Sequence, residues 1–334
     1  MMYAFLEHSL ERRKGLRTQM TTATKTESEK STALTRKQER LLDAAVAIRE
    51  SEPADDEKAF LTRYLVQATL PHRSPTGNPP EWHRTNGNYT LSIQPGYATD
   101  PKTRERVCLG YPFGSIPRLL MFWITTEALR TGTKRLTLGN SLAEFMKALG
   151  LNHRNGGMGS ERSDRKRLRD QMERLFRARL SFEYDALEVR RWLDMQVAPK
   201  GELWWNINSP DQSVLWDSWI ELGQEFYEAI ISAPIPVDMR ALRELKQSPL
   251  ALDLYAWTTY KTHQVNQNKK PQRVSWRQIH DQIGTDYTDP KDFRRKAKDA
   301  LRKVAVVYPG LKMEEGNGCI IIHPGRTAVA ARKS

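Results

Sequence analysis

Two long basic segments carry the same apolar stripe, and that repeat constrains the fold more than any other feature of the chain. In residues 162–178 the apolar side chains are Leu168, Met172, Leu175 and Phe176; in residues 290–306 they are Phe293, Ala297, Ala300 and Leu301. Both sets follow i, i+4, i+7, i+8, the spacing that lines up side chains on one buried face of an α-helix. The surroundings repeat as well. Trp123 stands 27 positions before Gly150, and Trp257 stands 27 positions before Gly284.

The elements around each basic segment read in the same order. In the first copy, residues 116–130 are a helix and 135–138 a short extended run. Ser141 caps a helix over 142–149, with Glu144 placed for a capping box and Gly150 ending it. After a Gly-rich loop at 155–160 comes the basic helix, then strands over 179–184 and 191–197, with 213–222 a candidate third. In the second copy, a helix over 250–261, an extended piece at 273–275 and a helix over 276–283 precede the basic helix. Runs 311–314 and 319–323 then form a hairpin across Glu315-Gly316-Asn317-Gly318, where Asn-Gly is a strong turn signal. Helix, strand, helix, helix, hairpin is the order of a winged helix. The expected fold is α+β: two tandem winged-helix domains with an N-terminal helical arm, divided into an arm (1–34), an N-terminal domain with a helical extension (35–232) and a C-terminal DNA-binding domain (233–334). Within the N-terminal part, helices are expected over 35–50 and 55–68, a linker or irregular loop over 70–88 and a strand over 89–94.

The polar faces of the repeated helices point to a ligand. With Phe293, Ala297, Ala300, Leu301 and Val304 inward, Lys291, Arg294, Arg295, Lys298 and Arg302 project outward. Residues 289–303 hold seven Lys or Arg against three Asp or Glu, and residues 161–179 hold eight against four. A charge run is by default a solvated helix face. Here its position argues further, because the third helix of such a unit is the one a helix-turn-helix lays in the DNA major groove. Arginine pairs bidentately with guanine O6 and N7, while lysine and serine suit phosphates. Arg294, Arg295 and Lys298 are therefore the base-reading candidates of the second unit. Lys166 and Arg169 are their counterparts in the first, beside the acidic Glu173, with Arg162 and Arg165 nearer the helix start. Ser275 and Arg277 open the short helix expected to cross the DNA backbone. Lys312 flanks the hairpin tip, within reach of phosphate or the minor groove.

Composition agrees with an anionic partner. The 334-residue chain carries a formal net charge of +13, which favours nucleic acid or a membrane surface. Its most apolar run, 119–124, falls far short of the roughly 20 residues of a membrane span. Residues 1–13 lack the continuous apolar core and cleavage site of a secretory signal, and Met20 offers a second translation start. The two cysteines, Cys108 and Cys319, are expected as reduced thiols in a cytosolic protein. Nothing points to chemistry: the chain is expected to be no enzyme and to use no cofactor or metal. It has no G-x-x-x-x-G-K-[ST] loop, and Gly132-Thr133-Lys134 lacks the upstream glycine. The seven histidines are scattered without a His-x-His pair, and His280 reads as a surface or interface residue. Trp204, Trp205, Trp216 and Trp219 read as packing rather than as a stacking platform.

Specific runs add a resemblance. Tyr111-Pro112-Phe113-Gly114-Ser115-Ile116-Pro117-Arg118-Leu119-Leu120, Trp123-Ile124-Thr125-Thr126-Glu127-Ala128 and Leu138-Gly139-Asn140-Ser141-Leu142-Ala143-Glu144-Phe145-Met146 are similar to the RepA-type plasmid replication initiator family. So are Pro236-Val237-Asp238-Met239-Arg240-Ala241-Leu242 and Ser248-Pro249-Leu250-Ala251-Leu252-Asp253-Leu254-Tyr255-Ala256-Trp257. The similarity extends over about 35–329. It implies an initiator that binds repeated double-stranded sites (iterons) at a plasmid origin through two winged helices. It also implies melting of adjacent A·T-rich DNA and recruitment of the host replicative helicase and other host initiation proteins. Such initiators often repress their own genes as homodimers joined through the N-terminal winged helix, and work in the bacterial cytoplasm on plasmid DNA. Two other readings stand beside this one: a winged-helix transcriptional repressor that never opens DNA, and a basic structural protein that binds RNA.

Overall fold

The computed structural model describes residues 35–151, 164–204, 218–284 and 286–330. The arm at 1–34, the Gly-rich loop at 155–160, Arg162, Trp205 and Trp216 lie outside the described residues. The described residues from Arg40 onward belong to one compact unit.

The described residues open with helix α1 (Arg36–Glu50). The helix expected over 55–68 is not one: a 3-10 turn (Asp55–Glu57), strand β1 (Lys58–Thr62) and the short helix α2 (Arg63–Gln67) replace it. Strand pairing overrides local helix propensity here, since β1 pairs antiparallel with a distant segment from Lys58↔Asp238 to Thr62↔Pro234 and buries Ala59 and Leu61. The linker or irregular loop expected over 70–88 is irregular over 71–81 and gives way to a strand only at Trp82. Thr69, Leu70, Pro71 and His72 are buried, and strand β2 (Trp82–Asn86) follows. Of the prolines and glycines over 70–88, only Pro71 is buried; Gly77, Pro80 and Gly87 are exposed, on irregular backbone and at the turn after β2.

Strands β3 (Tyr89–Gln94), β4 (Gly96–Thr99) and β5 (Arg106–Gly110) lead into helix α3 (Ser115–Thr131). Strand β6 (Arg135–Thr137), helix α4 (Leu142–Ala148) and the basic helix α5 (Asp164–Arg177) come next. Ser141 caps α4 through Glu144 N, 3.1 Å away. The Glu144 carboxylate, however, accepts from the backbone and side chain of Asn140 rather than closing a capping box on Ser141. Strands β7 (Arg179–Ala186), β8 (Val189–Gln196), β9 (Lys200–Glu202) and β10 (Trp219–Glu221) complete the first half.

The second half holds helix α6 (Gln224–Ser232), strand β11 (Pro234–Asp238), helix α7 (Met239–Leu245) and the 20-residue helix α8 (Pro249–Asn268). Strand β12 (Gln272–Ser275) and helix α9 (Trp276–Ile279), which runs into a π-type turn at His280–Gly284, precede the basic helix α10 (Pro290–Val307). Strands β13 (Lys312–Gly316) and β14 (Cys319–His323) close the chain as a hairpin whose Gly318 takes a left-handed φ of +69°. The fold is α+β.

The sheets are β2-β3-β7-β8, β6-β10-β9, β12-β14-β13, β1-β11 and β4-β5. Both copies keep the repeated order of elements but not the same sheet. In the second, β12 pairs with β14, so the strand before α9 joins the hairpin. In the first, the hairpin β7-β8 is extended by β3 and β2, and β6 pairs with β10 instead.

A buried ionic cluster joins the halves beneath the second basic helix. Asp253 on α8 accepts from Arg118 Nε and Nη2 on α3, both at 2.7 Å, and from His72 Nε2 at 2.8 Å. Arg118 also donates to the carbonyls of Leu70, Pro71 and Gly114. Arg84 on β2 donates to Thr69 and, at 3.0 Å, to Asp286 on the segment before α10. Burial disfavours the ionised Asp253, yet the Arg118 charge and the Arg118 and His72 hydrogen bonds outweigh it and hold its pKa well below the ordinary carboxylate range. Burial pushes the pKa of His72 down, against the pull of Asp253. Among the described residues, no helix is long and apolar enough to cross a membrane, and Cys108 and Cys319 are free thiols.

Candidate nucleic-acid interface

Helix α10 is set by both its ends. Asp289 caps it by accepting from Lys291 N at 2.8 Å, and Pro290 occupies the first turn, where its missing N–H costs nothing. Phe293, Ala297, Ala300, Leu301 and Val304 are all buried, as the spacing predicts. The short helix before it is fixed by a capping box: Ser275 Oγ accepts from Gln278 N at 3.2 Å, while Gln278 Oε1 accepts from Ser275 N. Gly284 is required for close approach, because a Cβ there would overlap the ring of Phe293. These two helices and the β13-β14 hairpin thus form one packed block, with a basic face toward solvent.

That face has two rows. Lys291, Arg295, Arg302 and Lys303 are exposed. Arg295 pairs with Asp292 at 2.7 Å and Arg302 with Asp299 at 2.6 Å, each within its own helix. Exposed pairs of this kind contribute little, about 0.2–1 kcal/mol, so these cations are available to phosphate or base edges. The second row, Arg294 and Lys298, turns toward the hairpin: both donate to Glu315, at 2.8 and 2.5 Å. These two donors hold the Glu315 carboxyl below the usual carboxylate range. The Ser275 hydroxyl is engaged in its cap, whereas Arg277 projects with 92% of its side chain exposed. Lys312 is exposed at the start of β13. His280, expected as a surface or interface residue, is half-buried, hydrogen-bonded to the Tyr287 carbonyl at 3.0 Å and edge-on to Phe293; it braces the segment before α10. Lys303 and Glu315 were not singled out by the charge count. The signal for Lys303 was its place beside Arg302, and for Glu315 its place beside the Asn-Gly turn.

Helix α5 buries Leu168, Met172, Leu175 and Phe176 in the same way. Its basic face carries within-helix pairs of the same kind and further contacts to neighbouring elements. Arg167 pairs with Asp164 at 2.8 Å, and Arg169 with Glu173 at 3.4 Å. Arg174 lies over the Phe113 ring, and Arg177 donates to the Tyr97 carbonyl of β4 at 3.1 Å. Lys166 is exposed and Arg165 half-buried. Trp219 stacks under Arg135 with the guanidinium carbon 3.9 Å from the ring centre, while Trp204 is half-exposed.

Among the described residues, no group of His, Cys, Asp or Glu is arranged to hold a metal ion. No curated protein sequence matches the chain. Among solved structures, it is similar to domains 2 and 3 of RctB at 10% identity with a TM-score of 0.45, covering 77% of this chain and 94% of that one. A family model described as plasmid encoded RepA protein matches residues 111–278, from the strand-to-α3 turn through α9. The match takes in the runs at 111–146 and 236–257 that carry the resemblance, while α10 and its hairpin lie beyond it. Since it spans just over half of the sequence, the chain belongs to the plasmid-encoded RepA family of plasmid replication proteins.

Proposed function

We propose that this protein initiates plasmid replication by binding repeated duplex sites at the origin through two winged helices, without chemistry or cofactor of its own. One observation carries the reading: the exposed cations of α10 stand beside a hairpin whose sheet includes the strand before α9, the arrangement in which a third helix enters a major groove and a wing touches the backbone. In this reading Arg295 and Arg294 read base edges, while Lys291, Arg302, Arg277 and Lys312 set register on phosphates. Helix α5, through Arg165, Lys166 and Arg169, contacts the neighbouring groove and shares its unit with a partner protomer. Bound protomers bend the origin, open adjacent A·T-rich DNA and bring in the host helicase in the bacterial cytoplasm. The domains of this scheme are 35–232 and 233–334, preceded by the arm.

Two measurements test it. Affinity for a duplex carrying the origin repeats should fall steeply with salt, since each neutralised phosphate adds about −0.9 to the log–log slope; a flat dependence refutes groove binding. Permanganate on supercoiled origin DNA should reveal unpaired thymines once the protein is bound. Protection without unpaired thymines would make the protein a repressor rather than an initiator.

A further inference from the structure

The hairpin beside α10 presents a carboxylate to the helix rather than only a basic edge to solvent. Glu315 Oε1 accepts from Arg294 Nη2 at 2.8 Å and from Lys298 Nζ at 2.5 Å. The same two cations lie over the Trp276 ring, 5.6 and 5.9 Å from its centre. Trp276 is itself buried at the start of α9. The Arg294 Nε is buried with no acceptor. Three elements of the block therefore converge on two side chains one helical turn apart. Arg295 and Arg302 differ, as each meets only an aspartate of its own helix.

We propose that Glu315 is a specificity-determining positioning residue, which fixes Arg294 and Lys298 for base reading and withholds them from phosphates. An arginine has five N–H donors in a rigid fork. Glu315 takes one, on Nη2, and leaves the remaining Nη hydrogens free for a guanine edge. Arg294 can thus read a base while still bonded to Glu315. A phosphate at the same hydrogens would bring its charge beside the Glu315 carboxylate, whereas a base edge is neutral. The result is a penalty on non-specific binding that the correct sequence escapes.

The inference rests on the duplex-binding reading above, and its test separates the two. The full-length protein is used to select a tight duplex from a random-sequence pool. Affinities for that duplex and for the unselected pool are then measured for the unaltered chain, Glu315→Gln, Glu315→Ala and Glu314→Gln. Glu314 lies next in the same strand but pairs with His323, away from α10, so its variant removes the same charge without the contact. Glu314→Gln should strengthen both affinities by a similar factor. Both Glu315 variants should strengthen pool binding but leave binding of the selected duplex unchanged or weaker, lowering the preference at least tenfold. Parallel shifts for Glu315→Gln and Glu314→Gln overturn the inference and leave the DNA reading standing. An unaltered chain that selects no duplex overturns both.

Discussion

Replacing Asp253 with Asn should be among the most damaging single changes in this protein. The carboxylate is 8% exposed and Arg118 is 4% exposed, so solvent screens neither. Its two oxygens accept three hydrogen bonds, one to Oδ1 from Arg118 Nε and two to Oδ2 from Arg118 Nη2 and His72 Nε2. An asparagine amide, in either orientation, sets an NH2 group against an arginine N–H, and it leaves the guanidinium charge buried without its counter-ion. Removing one partner of a buried pair costs about 3–5 kcal/mol, a large share of a total stability of about 5–15 kcal/mol. The expected drop in Tm is roughly 4–8 °C for a chain of this size, read by thermal or urea unfolding followed by tryptophan fluorescence. The pair Arg118→Met with Asp253→Leu should recover much of the loss, because neither member of the pair is then left as a lone buried charge. Recovery should be incomplete, since the Leu70, Pro71 and Gly114 carbonyls lose their donor. A single variant within about 1 kcal/mol of the parent, well inside the range of ordinary substitutions, would refute the reasoning. So would a double variant no more stable than the single.

Three further outcomes are expected. His72 is held neutral by burial below its ordinary value of 6.5, so the unfolded chain takes up a proton first and stability should fall as pH drops below about 6.5, joined by a further loss below about 3.8 as Asp253 protonates in the unfolded state. In His72→Gln, which keeps a donor toward Asp253, the urea midpoint should lose most of its change between pH 7.5 and 5.5; an unaltered pH dependence would place the titration elsewhere. Gly284→Ala should destabilise by about 1–3 kcal/mol, because its methyl group meets a Phe293 ring that is fully buried, and a neutral result would mean that α10 can shift. Arg295→Ala should cost about 1–3 kcal/mol of affinity at one base pair of a selected duplex; a loss uniform over all sequences would make Arg295 a phosphate contact.

The helices that carry the candidate interface were legible because burial writes a period into them. Leu168 to Phe176 and Phe293 to Leu301 could be placed from spacing alone, since each stripe has to meet a core. Segments whose structure depends on distant partners were not. Residues 58–62 have no strand-like isolation in sequence, and only Pro234–Asp238, some 175 positions away, makes them β1. Over 70–88 the prolines and glycines mark the irregular backbone of 71–81, but not the strand that follows at Trp82. His72, Arg84, Arg118, Asp253 and Asp286 are far apart in the chain, so no spacing could announce their cluster. For the same reason a charge count treated Arg294, Arg295 and Lys298 alike. Only the hairpin, folded back beside the helix, separates the row that meets Glu315 from the row that does not.

The repeated landmarks have the same spacing but different physical reasons, and the difference bears on how the two halves divide their work. Gly150 takes a left-handed φ of +70° and ends α4, whereas Gly284 has no such backbone and is small only so that Phe293 can pack. Trp257 is fully buried and donates to Gln282 at 3.1 Å, while Trp123 is half-buried against the edge of Phe145. What the two copies keep is the order of elements needed to bury one stripe on the third helix; what surrounds that helix is free to diverge. Around α5 it has diverged toward enclosure, with Arg174 and Arg177 spent on Tyr111, Phe113 and Tyr97. Around α10 the outer row stays open, and the segment before it is anchored through Asp286 to the buried cluster. A helix whose cations bond its own domain is suited to holding a surface in shape. A helix whose outer cations meet only aspartates of its own exposed face, on a rigid base, is suited to reading DNA. This difference supports the proposal that sequence recognition falls mainly to α10, with α5 giving register and a face for a partner.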